Sequence, residues 1–292
     1  MRIISWVVAR AAYPGIVVSS LVFASRLLDR GVAVGLVVTS AFVLALGLTA
    51  LLEQIQPFDR DTRATWLDAA YLGLASVVQT FGRLLGQAFA TVLGVLLVSH
   101  FGPRPWPHGW PLWTQIALAV TLADLGKYWI HRVAHERAWL WRFHAEHHAP
   151  AQMYSLNGVR LHPVNLLWNV GLDAGVPLAL GLDGRAVILA AVFRGTISVL
   201  QHANAELSLG PLNWIFSTPQ LHRWHHSAVL REANANYGST FIVWDVLFGT
   251  RLLPSGRPAA LGLADGTRHP RHLWKQLAWP WCAQRCVATV SE

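Results

Sequence analysis

Residues 131–148 read HRVAHERAWLWRFHAEHH, five histidines within one short stretch, and they decide how the rest of the chain is read. Further on, residues 222–226 read HRWHH and repeat the H-x-x-H-H pattern of residues 144–148. Imidazole is the commonest metal ligand among side chains, and it binds as the neutral ring near neutral pH. The flanking sequence is helical in character, and on a helix residues three and four apart share a face. That groups His131 with His135, His144 with His147 and His148, and His222 with His225 and His226. These ligand nitrogens exceed the four that one structural zinc takes, so two metal ions are the natural count. Isolated histidines such as His100, His108, His269 and His272 carry no such pattern and are read as surface or interfacial side chains.

Composition says where such a site lives. Hydrophobic residues make up 53% of the chain and charged residues 13%, with mean hydropathy +0.37. That balance excludes an ordinary soluble domain and gives an integral membrane protein. Gly31 to Leu52 is an uncharged apolar run of spanning length, since about 20 helical residues cross the hydrocarbon core. Ile3 to Phe23 is apolar but holds Arg10 and Pro14, which predicts a kinked or partly interfacial helix. A cleaved signal peptide fits less well, because Arg10 interrupts the run and no small-x-small site stands apart from the next span. Leu67 to Ser99 is apolar across Gly82, Arg83 and Gly86, and fits either one long tilted helix or a tight hairpin. Gly102 to Pro111 is a turn-rich loop, with Trp106, Trp110 and Trp113 suited to the membrane interface. A helix from near Leu112 to about Ile130 then delivers the first histidine pair. Asn165 to Leu182 and Ala186 to Leu200 read as a helical hairpin about the turn at Gly181 to Gly184. Its arms are short for full spans, and Arg194 interrupts the second.

Around the histidines Lys127, Arg132, Arg137, Arg142 and Arg160 outweigh Glu136 and Glu146. The C-terminal tail sets Arg251, Arg257, Arg268, Arg271, Lys275 and Arg285 against Asp265. By the positive-inside bias both regions face the cytoplasm. The net charge of +8 attracts anionic headgroups, at about 1 kcal/mol per basic residue near the surface. Nucleic acid is not an expected partner, because the charges are dispersed among membrane segments. The tail, with Trp274, Trp279 and Trp281, is expected on the surface. Its Cys282 and Cys286 read as ordinary thiols on an interfacial helix, without a disulfide framework or cysteine-based zinc motif. Lys127 and Lys275 are the only lysines, an arginine bias that points to a GC-rich bacterial genome and so to a bacterial inner membrane.

The order H-x-x-x-H, eight residues, H-x-x-H-H and a distant H-x-x-H-H resembles the fatty acid hydroxylase and sterol desaturase superfamily of integral membrane di-iron oxygenases. The likeness extends to Asp124, Tyr128 and Trp129 before the first box and to Trp141, Arg142 and Phe143 before the second. Later landmarks are Arg160-Leu161-His162-Pro163, Gln201-His202-Ala203-Asn204, Thr218-Pro219, Asn236-Tyr237-Gly238, and Trp244-Asp245 followed by Phe248-Gly249-Thr250. It covers about Asp61 to Thr250. One departure stands out: shortly after the His-Pro pair, where the family usually has a glutamate, this chain has Asn165.

The resemblance implies an all-α membrane bundle of about four to six membrane helices with a cytoplasmic histidine-rich helical cap. Residues 1–60 are then N-terminal membrane helices, 61–250 the catalytic domain and 251–292 a basic tail. It also implies two iron ions and O2 as co-substrate; zinc, which has no redox chemistry, would be a substitute acquired on purification. The implied ligands are His131, His135, His144, His147, His148, His222, His225 and His226, with His202 a ninth. His162 is a further ligand or a hydrogen-bonding neighbour of the site. Asp124, seven residues before His131, is either the partner of a ligand's other nitrogen or a salt-bridged carboxylate. Asn204, Asn236 and Asp245 are candidates to hold the surrounding loops. The implied activity is hydroxylation, or desaturation as in the sterol C-5 enzymes, of an unactivated C–H position of a membrane lipid. No dinucleotide fingerprint, iron–sulfur cysteine set or haem domain is present, so electrons must come from a separate reductase, ferredoxin or cytochrome b5-like donor. Two rivals are a membrane zinc hydrolase, disfavoured by the absence of H-E-x-x-H, and a non-catalytic membrane protein binding haem or metal through paired histidines.

Overall fold

A computed structural model describes residues 2–102, 106–264 and 269–282, with side chains from residue 6 onward. Helix α1 (Arg2–Asp29) and helix α2 (Val34–Ile55) form an antiparallel hairpin. Its turn contains Gly31 at φ 70°, a conformation that glycine adopts without steric cost. Helix α1 runs unbroken through Pro14, and Arg10 lies back over the Trp6 ring at 4.3 Å. The segment expected to be a kinked or partly interfacial helix is, from Trp6 to Asp29, long and apolar enough to cross a membrane.

Helix α3 (Trp66–Phe101) settles the choice left open by the sequence, being one uninterrupted helix of 36 residues. At 1.5 Å per residue that is about 54 Å, well beyond a hydrocarbon core of about 30 Å. Its start is fixed by Asp68, whose Oδ2 accepts from the backbone N–H and hydroxyl of Thr65 at 2.6 and 2.8 Å. Its outer face leaves Phe81, Leu85 and Phe89 more than 60% exposed, a surface suited to lipid rather than water.

Helix α4 (Leu112–Glu136) follows a loop tied down by the Trp106 indole, which donates to Gln115 at 2.8 Å. Arg137 breaks the chain direction into α5 (Ala138–His148). Past a single helical turn at Ser155–Val159, the apolar stretch expected from Asn165 to Leu182 divides. Helix α6 (Pro163–Val170) passes through a wide π turn, Gly171–Gly175, into the short α7 (Val176–Ala179). This arm is not among the helices long and apolar enough to cross a membrane. Its partner α8 (Gly184–Gln201) is capped by Asp183 and is spanning in length and composition, so four such helices are present among the described residues.

Helix α8 is the inner member, packing against α1, α2 and α4. Ile197 and Leu200 lie on Tyr13, Ala45 and Leu52, while Leu189 and Val192 lie on Ala24, Val37 and Ala41. The segment after α8 is built of turns and the short helices α9 (Pro219–His225), α10 (Leu230–Ala233) and α11 (Val243–Leu247). No strand occurs among the described residues, only three isolated bridges.

The tail departs from its surface reading. Helix α12 (Leu273–Cys282) buries Trp279 against Ala145 of α5, and Gln276 accepts from the Tyr71 hydroxyl at 3.3 Å. Trp274 and Trp281 stay exposed, as does Cys282. Asp265, Arg268, Arg285 and Cys286 lie outside the described residues.

Candidate metal centre

Nine histidines collect where the ends of α4, α5, α8 and α9 meet, and they form two groups. His131, His135, His144, His148 and His225 make one, and His147, His202, His222 and His226 the other; within each, the ligand nitrogens all lie within 4.8 Å of one another. Helical periodicity explains the division. Neighbouring residues on a helix point about 100° apart, whereas i and i+4 share a face. His144 and His148 therefore stay together while His147 crosses to the other group. In the third cluster the exchange is mirrored: His222 and His226 stay together and His225 crosses over. The sequence reading placed each triplet on a single face; the structure separates the middle histidine from its neighbours.

The Nε2 atoms converge. His144 lies 2.9 Å from His131 and 3.1 Å from His148, and His225 lies 3.0 Å from His131. In the second group His202 lies 3.1 Å from His147 and 3.0 Å from His222, which lies 3.0 Å from His226. Nitrogens about 2.1 Å from one ion and at right angles across it would be about 3.0 Å apart, so the donor sets fit one metal each.

The outer nitrogens are engaged in a way that leaves the inner lone pairs free. His131 Nδ1 donates to the Tyr237 carbonyl and His225 Nδ1 to the Ala235 carbonyl, both at 2.7 Å. His202 Nδ1 donates to the Ser198 carbonyl at 2.8 Å and His147 Nδ1 to the Arg160 carbonyl at 3.3 Å. A carbonyl only accepts, so each bond fixes the proton on Nδ1 and exposes Nε2. Burial presses the pKa values down from the usual 6.5, to about 4 for His144 and His202 and about 3 for His225. The rings are consequently neutral at pH 7, the form that binds metal.

Asn165 Oδ1 meets His144 Nδ1 at 2.8 Å. A neutral amide thus orients a ligand ring without a carboxylate. Asn234, which the sequence reading passed over, meets His135 Nδ1 at 3.2 Å.

Other expected residues take different posts. Asp124 turns away from His131: its carboxylate accepts from the backbone N–H of Thr240 and Phe241 and from the Trp244 indole, at 2.8, 2.9 and 3.1 Å. It pins the loop that carries the Tyr237 carbonyl to His131. His162 belongs to neither group; its Nδ1 caps α6 by accepting from Val164, and its Nε2 donates to the Leu277 carbonyl at 3.1 Å, tying down α12. Asn204 ties the segment at Asp59 and Thr62 to the end of α8. Asn236, at φ 56°, bridges Leu221 and Leu252, and Asp245 accepts from the N–H groups of Tyr237 and Gly238.

Arg160 is buried, and His269, read as a surface or interfacial side chain, is partly buried beside it. Arg160 lies between Glu146 at 3.3 Å and Asp68 at 3.7 Å, and the His269 ring lies 3.2 Å from Glu146. Desolvation pushes Glu146 up to about 7 against the opposing pull of Arg160. The network joins α3, α5 and the tail behind His147. A glutamate inside H-A-E-H-H was its one sequence signal.

Next to both groups is a cavity of about 70 Å³ that reaches His131, His144, His147, His202 and His222. Its remaining wall is mixed, with Lys127, Asn169, Arg194 and Ser239 beside the apolar Leu161 and Trp168.

The fatty acid hydroxylase family profile matches residues 116–250. An ornithine lipid hydroxylase of Rhizobium tropici is 34% identical over 82% of this chain and 74% of its own length. The human alkylglycerol monooxygenase is 32% identical over 50% of the chain and 32% of its own length. A very-long-chain aldehyde decarbonylase of rice is 30% identical over 55% and 61%. The chain thus spans about three quarters of the first relative and about a third of the second. No solved structure matches. The chain belongs to the fatty acid hydroxylase family, whose members are metal-dependent oxidoreductases acting on lipids.

Proposed function

We propose that this chain is a di-iron lipid monooxygenase. His131, His135, His144, His148 and His225 hold one iron, and His147, His202, His222 and His226 hold the other. The observation that carries this reading is the convergence of nine neutral imidazoles, in two sets, beside one cavity. Bound there, a redox-active pair supplies O2 activation, which zinc does not. One oxygen atom ends in the C–H bond as a hydroxyl, and the other leaves as water with two electrons and two protons. The electrons come from a separate reductase, ferredoxin or cytochrome b5-like donor docking on the cytoplasmic face, the side the basic loops favour.

The protein's own part is positional. Carbonyls of Tyr237, Ala235, Ser198 and Arg160 hold the Nδ1 protons outward. The buried rings exclude water, and the apolar bundle brings a lipid to the cavity, where positioning decides which C–H reacts. The relatives' names, hydroxylase and monooxygenase, favour hydroxylation over desaturation. The test is iron content by mass spectrometry on detergent-purified protein, followed by lipid analysis of cells with and without the chain. Two irons per chain and a lipid heavier by one oxygen are expected. Folded protein that takes zinc but no iron when iron is supplied would overturn the reading.

A further inference from the structure

Three charged groups meet beside the metal centre, none used so far. Asp173, in the π turn after α6, lies 3.3 Å from the Lys127 ammonium of α4 and 2.9 Å from Arg194 Nε of α8. Arg194 also donates to the Asp173 carbonyl at 2.7 Å. The cluster carries two cations and one anion. Its Arg194 side chain is only 4% exposed, and Nη1 has no hydrogen-bond partner although it is buried. Leaving a guanidinium proton unpaired in a low-dielectric setting is costly, and the cost is relieved by an anion that completes the pairing. Arginine's planar fork suits carboxylate and phosphate oxygens in particular.

Lys127 and Arg194 both line the histidine cavity, together with Asn165, Asn169, Ser198 and Ser239. A slot for the middle of an acyl chain would be apolar throughout, whereas this wall sets two cations, amides and hydroxyls beside Leu161 and Trp168. At about 70 Å³ the cavity admits a small polar group. Lys127 and Asn169 are partly exposed and mark its rim.

We propose that Arg194 and Lys127 form an anion-recognising subsite that draws the carboxylate or phosphate of an amphiphile's headgroup into the metal cavity. This rests on the oxygenase reading above and deepens it: the oxidised carbon lies within a few bonds of the anionic group, not far along an acyl chain. Asp173 holds the two cations apart and keeps them aimed at the cavity, so it sets specificity by position.

Calorimetry in a non-ionic detergent tests the subsite with hexyl phosphate, hexanoate and hexanol. Wild-type protein is expected to bind one or both anions at least about tenfold more tightly than hexanol, as a charge-assisted hydrogen bond provides. Arg194→Gln and Lys127→Gln should each weaken the anion about tenfold while leaving hexanol and iron content unchanged, with Arg194→Lys recovering part of the loss. Whichever anion binds more tightly identifies the headgroup chemistry. Equal binding of hexanol and both anions by wild type would overturn the proposal, as would unaltered anion binding in a folded Arg194→Gln. Should that variant fail to fold, Lys127→Gln decides by the same criterion, since its site is at the rim. The titrations are run with and without loaded iron. Failure to bind iron therefore sinks the oxygenase reading, while anion preference is judged separately.

Discussion

The two histidine groups share burial and chemistry but differ in how they are built. The first has five rings, four of them from i, i+4 pairs on α4 and α5, and its outer partners include two asparagines, Asn165 and Asn234. The second has four rings, only one such pair, and takes His202 from the end of a membrane helix. One is a short-range construction braced by the crossing of α4 and α5. The other depends on α8 keeping its depth relative to α9. The difference implies that damage to α8 should reach the second group alone, while the exchange of His147 and His225 couples the two across their shared wall.

Ligand removal should have the largest effect. On the di-iron reading proposed above, His148→Ala is expected to lose the iron of the first group and His226→Ala that of the second, each holding about half the wild-type content and each abolishing hydroxylation. Iron analysis on folded protein checks this. If either substitution empties both groups, the coupling through His147 and His225 outweighs the separation of the two ligand sets.

Acid should act on both groups alike. The folded rings titrate below the 6.5 of an exposed histidine, down to about 4 for His144 in the first group and His202 in the second. Between those values the unfolded chain binds protons that the folded chain refuses, so stability is full above pH 6.5 and falls as pH drops toward 4. Thermal melts of metal-free protein from pH 7 to 4 should show a progressive loss, and metal should leave both groups over the same interval. Stepwise release would show that the fifth ring sets the first group apart.

The clusters were legible because histidine is scarce and its spacing matches helical faces. Of the four helices of spanning length and composition, only α2 was legible as an unbroken apolar run; Arg10 and Pro14 obscured α1, the Gly82–Gly86 interruption left α3 open between one helix and two, and Arg194 made α8 look short. What stayed hidden depends on distant elements. Asp124 shares a face with His131 along α4, but the loop from Tyr237 to Trp244 claims its carboxylate. His269 looks like a surface or interfacial side chain until the segment before α12 brings it to Glu146. Arg194 looks like an interruption of an apolar run until the π turn brings Asp173 to it.

Asn165 offers a sharper probe of the first group. Its amide oxygen fixes the His144 ring, and loss of such a partner costs about 10–100-fold in metal affinity. Asn165→Ala should therefore weaken the first metal by that range, and Asn165→Asp, which keeps the acceptor, should restore most of it. A competition titration with a chelator reads both. Equal weakening of the two metals would show that the cavity wall, and not the ring's orientation, is what Asn165 serves.

The smallest expected effect belongs to the second group and to a residue with no side chain. A Cβ on Gly158 would lie 3.0 Å from His202 Nδ1 and 3.3 Å from the Ser198 carbonyl that this nitrogen donates to. Gly158→Ala must therefore push the ring or loosen its hydrogen bond, and the nearest atoms to the added carbon all belong to His202 and Ser198. The expected outcome is about tenfold weaker binding of the second metal, at the low end for a disturbed ligand partner, with the first unchanged. Because α8 carries both Ser198 and His202, the ring can follow a small shift of the loop at Ser155–Val159 instead. Full retention of both metals in Gly158→Ala would mean that this loop yields more easily than α8 does. The second group would then be as well braced as the first, and the contrast between them would reduce to ligand number.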